Sequence, residues 1–259
     1  MNKLAFLVSI LILAILSANA QSVLSPGEKC QISLSFGNTQ FKEYLINGLR
    51  NTGINPGLGF NYNISKKTLN HEFGLNINAA ALWNRYKWVS LCVQSILHYR
   101  LLACINDKFQ LGGNVYYSNL FHENGNFDSQ HNYWITKINS GFSACYKLPV
   151  NTRWTLYVPF SLFLFGFLSR PAPDRNLILN EPDLHLKDVL KRMNSNFQFV
   201  TIGNKCFESE TGLFFRTHFH SGRPATFGYR IHYQQTSTSL KTQLLNHQLS
   251  FQYSIGKMK

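Results

Sequence analysis

Charged residues are scarce in this sequence, and acidic residues are the scarcest among them. Charged residues make up 14% of the 259 positions, against about 25% in typical soluble domains. The 12 acidic residues face 25 Lys and Arg, which gives a formal net charge of +13. Such a low proportion of charged residues argues against a domain whose whole surface is in contact with water. An excess of basic residues is compatible with binding to nucleic acid or to anionic lipid. The export signal described below favours lipid headgroups or a small anionic solute as the binding partner.

The motifs of common nucleotide-binding and metal-binding classes are absent. The sequence contains no Gly-x-Gly-x-x-Gly motif, no P-loop and no alternation of helix with strand patterns. Its five cysteines are an odd number, and none shows the C-x-x-C or cysteine–histidine spacing of a zinc site. We therefore expect neither a cofactor nor a metal, and we interpret the cysteines as small buried or rim residues.

The first 20 residues have the three parts of a signal peptide. Lys3 supplies the positive start, residues 4–16 are apolar, and an A-x-A cleavage motif occupies positions 18–20. The apolar stretch is too short to span a membrane comfortably as a helix. The sequence therefore predicts export, cleavage before Gln21, and a single mature domain over residues 21–259.

Beyond the signal peptide, apolar and polar side chains alternate along most of the chain. The pattern is clearest near the end, where the apolar residues hold odd positions: Leu213, Phe215, Phe219, Phe227, Tyr229, Ile231, Tyr233, Leu245, Leu249, Phe251, Tyr253 and Ile255. The positions between them carry mostly Arg, His, Gln, Ser and Gly. Because a strand turns successive side chains to opposite faces, each run has one apolar and one polar face. A transmembrane β-barrel needs that arrangement, with lipid outside and a polar lumen inside.

The signal peptide, the alternation and the final strand pattern over 249–255 together resemble outer-membrane β-barrel proteins of Gram-negative bacteria. The resemblance covers the mature chain and matches no particular subfamily; the chain ends in Gly256–Lys259, not in the aromatic residue common in such proteins. It implies an all-β fold, a transmembrane antiparallel up-and-down barrel in the cell outer membrane, in contact with outer-membrane lipid. Eleven strand segments can be counted, and bacterial barrels have an even number. We therefore expect about twelve strands, with ten as the alternative.

The connections between segments predict which strand ends share a side of the barrel. Longer connections, which we expect on the outer side, occur at 37–57, 122–131 and 170–194. Short turns, which we expect on the opposite side, contain Asn106, Pro149 and Asn204. Long outer loops and short inner turns are typical of outer-membrane barrels.

The run 154–168 is the most apolar stretch of the mature chain. Its alternation is regular up to Ser161, after which both faces become apolar. We expect this strand to pack against something inside the barrel or to project above the membrane.

One short helix is predicted in the longest loop, over residues 180–193. Asn180 is a suitable N-cap, and Pro182 and Asp183 suit the first turn. Apolar side chains recur at helical spacing at Leu186, Val189, Leu190 and Met193. We expect the helix to pack on the barrel rim or, alternatively, to fold into the mouth as a lid or plug.

Basic and imidazole side chains gather on the inward positions of the strands. The alternation assigns these residues to a ligand-binding lumen: Arg100, Lys137, Arg216, His218, His220, Arg230 and His232. Few acidic residues fall within the strands, so we expect a basic wall that attracts an anion, with a hydrated structural network as the alternative. A metal is not expected despite the histidines, because neighbouring arginines repel a cation and no carboxylate is in register.

Three functions are compatible with such a barrel. The leading hypothesis is a narrow channel, or a binder of a small or lipidic, anionic ligand. The second is a lipid-modifying hydrolase in which His218 or His220 acts beside Ser221; Glu208 and Glu210 lie several residues from where the orienting acid is needed. An enzyme is therefore the less favoured reading, and no catalytic residue is assigned. The third is a structural or adhesive surface barrel that works through its loops.

Overall fold

A computed structural model describes residues 30–43, 49–66, 68–124, 133–170, 196–218, 223–237 and 241–255, together with Lys191, Met193 and Asn194. The signal peptide and its cleavage site lie outside the described residues. All five cysteines are described, and all are free thiols. Among the described residues, no helix is long and apolar enough to cross a membrane.

Eleven antiparallel strands form one sheet, and ten of them close into a barrel. In chain order they are β1 (Cys30–Glu43), β2 (Arg50–Lys66), β3 (Leu69–Trp83), β4 (Val89–Cys104), β5 (Phe109–Asn124), β6 (Tyr133–Pro149), β7 (Thr155–Ser169), β8 (Gln198–Thr201), β9 (Cys206–His218), β10 (Pro224–Ser237) and β11 (Lys241–Ser254). The ring is closed by β1 and β11, which pair from Gln31↔Ser254 to Glu43↔Thr242. The barrel is therefore up-and-down, as the alternation predicts.

Side-chain facing follows the alternation of the sequence. Large apolar residues on outward positions are exposed around the ring, among them Ile32, Leu34, Phe36, Leu58, Phe60, Leu75, Ile77, Leu97, Ile138, Leu213, Phe215, Phe227, Tyr229 and Leu249. Inward neighbours such as Ser33, Asn61 and Gln248 are buried. So continuous an exposed apolar surface is unfavourable in water and favourable against lipid tails. We call this outward surface the apolar belt.

The ring has ten strands, the lower of the two numbers that the sequence allows, and not the preferred twelve. The eleventh strand, β8, has four residues and pairs only with Phe165–Leu168 of β7, whereas β9 pairs with β7 over residues 155–162. The segment counted at Phe197 and Phe199 therefore adds no member to the ring. Its alternation resembles that of a full strand, so the sequence pattern alone does not separate the two.

A β-bulge in β7 explains why the alternation of this strand fails. Ser140 and Gly141 of β6 pair with Phe165 and Phe163, which leaves Leu164 as an extra residue in β7. Inward positions are odd before the bulge and even after it. One inserted residue therefore exchanges the two faces, and β7 stays in the barrel wall. The expectation that this strand packs against something inside the barrel is confirmed, because the inward Phe163 ring packs on Tyr116 with centroids 4.5 Å apart. The alternative, projection above the membrane, is wrong.

The two ends of the barrel differ in their connections. At one end, the turn end, lie the connections 67–68, 105–108, 150–154 and 219–223, together with the start of β1 and the end of β11. At the other end, the loop end, lie the connections 44–49, 84–88, 125–132, 170–197 and 238–240. The longer connections predicted at 122–131 and 170–194 lie at the loop end. The one predicted at 37–57 lies there too, but it spans only 44–49, because residues 37–43 and 50–57 belong to β1 and β2.

The bend that contains Asn204 also lies at the loop end. The backbone N–H groups of Asn204 and Lys205 donate to the Thr201 carbonyl, at 3.4 and 3.3 Å. Cys206, the first residue of β9, is opposite Thr236 near the loop end of β10. Because β8 and the start of β9 are both at the loop end, the placement of Asn204 among the short turns of the other side is wrong.

The helix predicted for 180–193 lies almost entirely outside the described residues. At its end, Lys191 and Met193 are helical. Met193 is buried against Trp134, with Phe121 beside them. Trp134 and Phe121 hold outward positions at the loop end of β6 and β5, so this end of the segment contacts the outer rim.

Candidate functional site

Apolar side chains fill the interior of the barrel toward the loop end. The buried cluster consists of Phe41, Ala80, Leu82, Cys92, Leu120, Tyr133, Ile135, Leu168, Val200 and Leu244. The Phe41 ring packs against His122 and Tyr133, with centroids 4.7 and 5.8 Å apart. Because the members come from opposite sides of the ring, they fill the lumen within the part of the chain that the structure describes. We call this cluster the apolar plug.

Paired charges cross the middle of the barrel next to the plug. Arg100 of β4 donates to Glu72 of β3 (Nη1 to Oε1, 3.3 Å) and to the Tyr116 hydroxyl (Nη2, 2.5 Å). Arg100 Nη2 also reaches Glu210 Oε1 of β9, at 2.8 Å. Since β4 and β9 are nearly opposite in the ring, this pair bridges the lumen. Arg230 Nε lies 3.9 Å from the same carboxylate oxygen.

A second network lies in the same layer and is more deeply buried. The Lys137 side chain of β6 is 2% exposed and donates to Glu208 Oε2 of β9. Asn139 Nδ2 donates to the same carboxylate at 2.8 Å, and His232 Nε2 lies 2.8 Å from its other oxygen. Complete pairing matters because removing one partner of a buried ion pair leaves an uncompensated charge. The network therefore fixes β6, β9 and β10 relative to one another.

The charges of this middle layer cancel. Three cations, Arg100, Lys137 and Arg230, face three carboxylates, Glu72, Glu208 and Glu210. The expectation that no carboxylate is in register is wrong, because Glu210 is directly opposite His232 across β9 and β10. At this level the basic wall predicted from the sequence is neutralised. No group of three His, Cys, Asp or Glu in the described ranges is placed to hold a metal.

Between the middle layer and the turn end lies a cavity of about 560 Å³, which we call the cup. Its floor includes Glu72, Arg100, Glu210 and Arg230, and its wall includes Gln31, Asn61, Ser65, Ser143 and Ser161. The lumen is open at this level because many inward positions carry short polar side chains. Volumes of roughly 300–1,000 Å³ are usual for sites that hold small molecules.

One wall of the cup, formed by β6, β7 and β9, is basic and aromatic. Lys147 is directly opposite Tyr157 in the β6–β7 register, and Arg216 is opposite Thr155 in the β7–β9 register. Arg216 Nη1 donates to the Tyr157 hydroxyl at 3.2 Å, and its guanidinium carbon is 5.3 Å from the ring centroid. Lys147 Nζ is 6.0 Å from that centroid. Two cations therefore share one tyrosine at the wall of the cavity.

Phe214 forms the adjoining part of this wall. Its ring lies against Gly212 and Gly228, where an added Cβ would overlap the ring atoms. The Arg230 guanidinium carbon is 5.8 Å from the ring centroid. Two glycines on neighbouring strands thus leave room for an aromatic ring along the wall, and the cup has an apolar surface two residues from Arg216.

The predicted lumen residues lie at different heights in the barrel. Those in the middle layer are Arg100, Lys137, Arg230 and His232. Arg216 lines the cup, and His218 is exposed at the end of β9. His220 and Ser221 lie outside the described residues. The acids considered for a hydrolase, Glu208 and Glu210, are held by cations in the middle layer and do not approach His218.

Sequence reasoning did not select Glu72, Lys147 or Tyr157 as site residues. All three hold inward positions, so the alternation could have placed them in the lumen. What the alternation does not give is the height of a residue along the barrel axis, or its partner on a distant strand. The height of a residue and its distant partners follow from the closed ring and the register of its strands.

The sequence matches no protein-family model, and no curated protein is similar to it at a significant level. The fold is similar to the β domain of the Bordetella autotransporter Brka, with TM-score 0.46 and 9% identity over 88% of this chain and 100% of that chain. It is similar to the translocator domain of the autotransporter NalP from Neisseria meningitidis, with TM-score 0.43 and 10% identity over 95% and 96% of the two chains. The Pseudomonas putida toluene transporter TodX has TM-score 0.36 and 8% identity over 95% and 93%. Likenesses this distant say nothing about what the chain binds.

The class of the protein follows from its own geometry. Ten strands close into a ring in which each strand pairs with a neighbour on both sides, and the outward positions form the apolar belt. A closed barrel with an apolar exterior is the one β structure that can span a bilayer. The structure is that of a membrane-spanning β-barrel, and it agrees with the outer-membrane location that the sequence predicts.

Proposed function

We propose that this protein binds a small anionic ligand in the cup and is not a channel. The observation that carries the proposal is the division of the interior into three levels. The apolar plug and the paired charges fill most of the lumen toward the loop end and leave a cavity of about 20 Å³ beside Arg230 and His232, whereas the cup is the large open level at the turn end. With the longer connections outside the cell, the cup opens to the periplasm, and the apolar belt contacts outer-membrane lipid.

The plug argues against a water-filled path. Phe41 and Leu82 are 1% and 0% exposed, and the Tyr133 hydroxyl of β6 donates to Thr242 Oγ1 of β11 at 3.4 Å across the lumen. A hydrophobic constriction closes a pore to ions by excluding water. Conduction through the described part of the chain would therefore require these side chains to move apart.

The charge of the cup argues for an anion. Four cations line it, Arg100, Lys147, Arg216 and Arg230, against three acids, Glu72, Asp107 and Glu210. The floor cations are paired with the floor acids, so the excess lies on the wall of β6, β7 and β9. A cleft that is lined by positive charge and has low-dielectric walls concentrates anions. In this proposal Arg216 contacts the ligand, Arg100 and Arg230 form the floor, and Lys137 and His232 support the floor from the buried side.

The proposed mouth of the cup includes His218. His218 is exposed at the turn end of β9, where an incoming anion would pass it. His218 belongs to the proposal as a mouth residue, and no catalytic role is assigned to it.

Planar-bilayer recording of the purified protein tests the proposal. The wild type is expected to give no stepwise conductance. The double variant Phe41→Ser/Tyr133→Ser, which hollows the plug, is expected to conduct, and Phe36→Ser, an outward change on the same strand as Phe41, should stay silent. A steady conductance of the wild type, equal to that of the hollowed variant, would establish a channel and contradict the proposal.

A further inference from the structure

We propose that Lys147, Tyr157 and Arg216 form a binding site for the oxyanion group, carboxylate or phosphate, of the ligand that the cup holds. The inference rests on the proposed function and identifies the chemistry of its ligand. It comes from three side chains on adjacent strands that present donors to one cavity and that the paired charges of the floor do not include.

The tyrosine hydroxyl is oriented by its contact with arginine. Arg216 Nη1 donates to the Tyr157 oxygen at 3.2 Å, so that oxygen acts as the acceptor and its own proton is left to donate. In the described structure no acceptor is recorded for this proton. Tyr157 therefore presents an O–H donor beside the Arg216 guanidinium, and Arg216 carries further N–H donors in its planar fork.

The Lys147 ammonium adds the third donor. It lies 6.0 Å from the Tyr157 ring centroid, on the side of β6, and no carboxylate among the described residues is recorded in ion-pair contact with it. Glu72, Glu208 and Glu210, the interior carboxylates of the middle layer, are bound by other cations. Asp107 lines the cup from the turn between β4 and β5, so the rim carries one acid.

This donor set matches an oxyanion better than a halide or a neutral group. Charge-assisted hydrogen bonds from guanidinium and ammonium groups are the strong ones for carboxylate and phosphate, and a planar guanidinium can bind two oxygens of one group. Three donors of different geometry suit an ion with two or three oxygen atoms. A carboxylic acid or a phosphate monoester has such a head.

The apolar part of the ligand is expected to lie on Phe214. Its ring is held against Gly212 and Gly228 on β9 and β10, two residues along β9 from Arg216. A ligand with an anionic head and a small apolar body would contact Arg216 and Phe214 together. The class is therefore an aromatic or short aliphatic acid or its phosphate counterpart, free in solution or as the head of a short lipid.

Isothermal titration of the full mature barrel in detergent tests this site with defined probes. Benzoate and phenyl phosphate represent free acids, dihexanoyl phosphatidic acid represents a lipid phosphate, and benzamide is the neutral counterpart of benzoate. We expect benzoate and phenyl phosphate to bind, and benzamide to bind at least tenfold more weakly. Tighter binding of dihexanoyl phosphatidic acid than of phenyl phosphate would identify a lipid source of the oxyanion, and the reverse order a free solute.

Matched variants locate the site within the cup. Arg216→Gln and Lys147→Gln are each expected to weaken benzoate binding about tenfold, the loss of one charge-assisted hydrogen bond in a site open to water. Tyr157→Phe keeps the ring and should cost about threefold, as for a neutral donor. Arg153→Gln removes an exposed arginine from the turn between β6 and β7 and should have no effect.

The variant Arg216→Lys distinguishes the loss of a positive charge from a loss of folding stability. It keeps the positive charge and should retain more affinity than Arg216→Gln, with the thermal unfolding of both variants followed by circular dichroism. Equal affinity of the wild type for benzoate and benzamide, unchanged affinity in Arg216→Gln and Lys147→Gln, or no binding of either anion would overturn the oxyanion site. Conductance of the wild type would overturn the proposed function whatever these affinities are.

Discussion

The substitution Phe251→Arg, compared with its neighbour Gln252→Arg, tests which face of β11 meets lipid. Phe251 holds an outward position, is opposite Leu34 on β1, and packs on Phe227 of β10 with ring centroids 4.9 Å apart. Gln252 points into the cup. The two positions are adjacent on one strand and face opposite sides of the barrel wall.

The expected cost follows from two contributions. An Arg on the lipid face destabilises a barrel by about 2–4 kcal/mol at the bilayer midplane and by less toward the interfaces. Phe251 lies three residues from the turn end of β11, so we expect a cost of about 1–3 kcal/mol from this contribution. Loss of the aromatic pair with Phe227 adds about 0.5–1.5 kcal/mol, so Phe251→Arg should cost about 2–4 kcal/mol in total. An Arg at position 252 extends into the water-filled cup, and we expect a change within about 1 kcal/mol.

Urea unfolding of the refolded protein in lipid vesicles, followed by tryptophan fluorescence, measures both changes as differences in unfolding free energy. The same variants in detergent, where the outer layer adapts more easily, should differ less. Equal destabilisation by the two substitutions, or a larger effect of Gln252→Arg, would refute the facing of β11 and with it the apolar belt.

Three further predictions concern the charges, the orientation and the processing of the chain. Glu208→Gln leaves the Lys137 ammonium buried without its carboxylate and should cost about 3–5 kcal/mol, and adding Lys137→Met should recover part of that loss in a chemical-denaturation cycle. With a membrane-impermeant maleimide, Lys205→Cys at the loop end should be labelled in intact cells, and Lys108→Cys at the turn end after permeabilisation; the opposite pattern would show an inverted barrel. N-terminal sequencing of the outer-membrane fraction should give Gln21 as the first residue, and an uncleaved chain would contradict the signal peptide.

The side of the barrel wall that each side chain faces was predictable from the sequence, because it is a local property of a strand. The odd positions of the last strands, such as Phe227 and Leu249, are outward in the structure, since each residue exchanges sides with the next. Where one residue is inserted, as at Leu164 of β7, the same local reasoning gives the wrong side beyond it. The strand number failed for a related reason, because the four residues of β8 alternate like a full strand.

The candidate site was less predictable because its contacts join strands that are distant in sequence. Arg100 and Glu210 are 110 positions apart, and their pairing requires the closed ring. A sequence pattern shows that Lys137 is inward, and does not show that Glu208 lies at the same height. The apolar plug was not predicted for another reason. Its members, such as Leu82, are inward apolar residues on faces that are otherwise polar, so each one is an exception to the alternation.

The accessibility of two native cysteines tests the central claim, a cup open at the turn end and closed toward the loop end. Cys145 lines the cup, and Cys92 is 4% exposed within the apolar plug. Single-cysteine proteins that keep one or the other would be treated with a membrane-impermeant methanethiosulfonate reagent, in intact cells and after permeabilisation of the outer membrane. We predict modification of Cys145 after permeabilisation alone and no modification of Cys92 under either condition. Modification of Cys145 from both sides, or of Cys92 from either side, would show a water path through the plug and contradict the account.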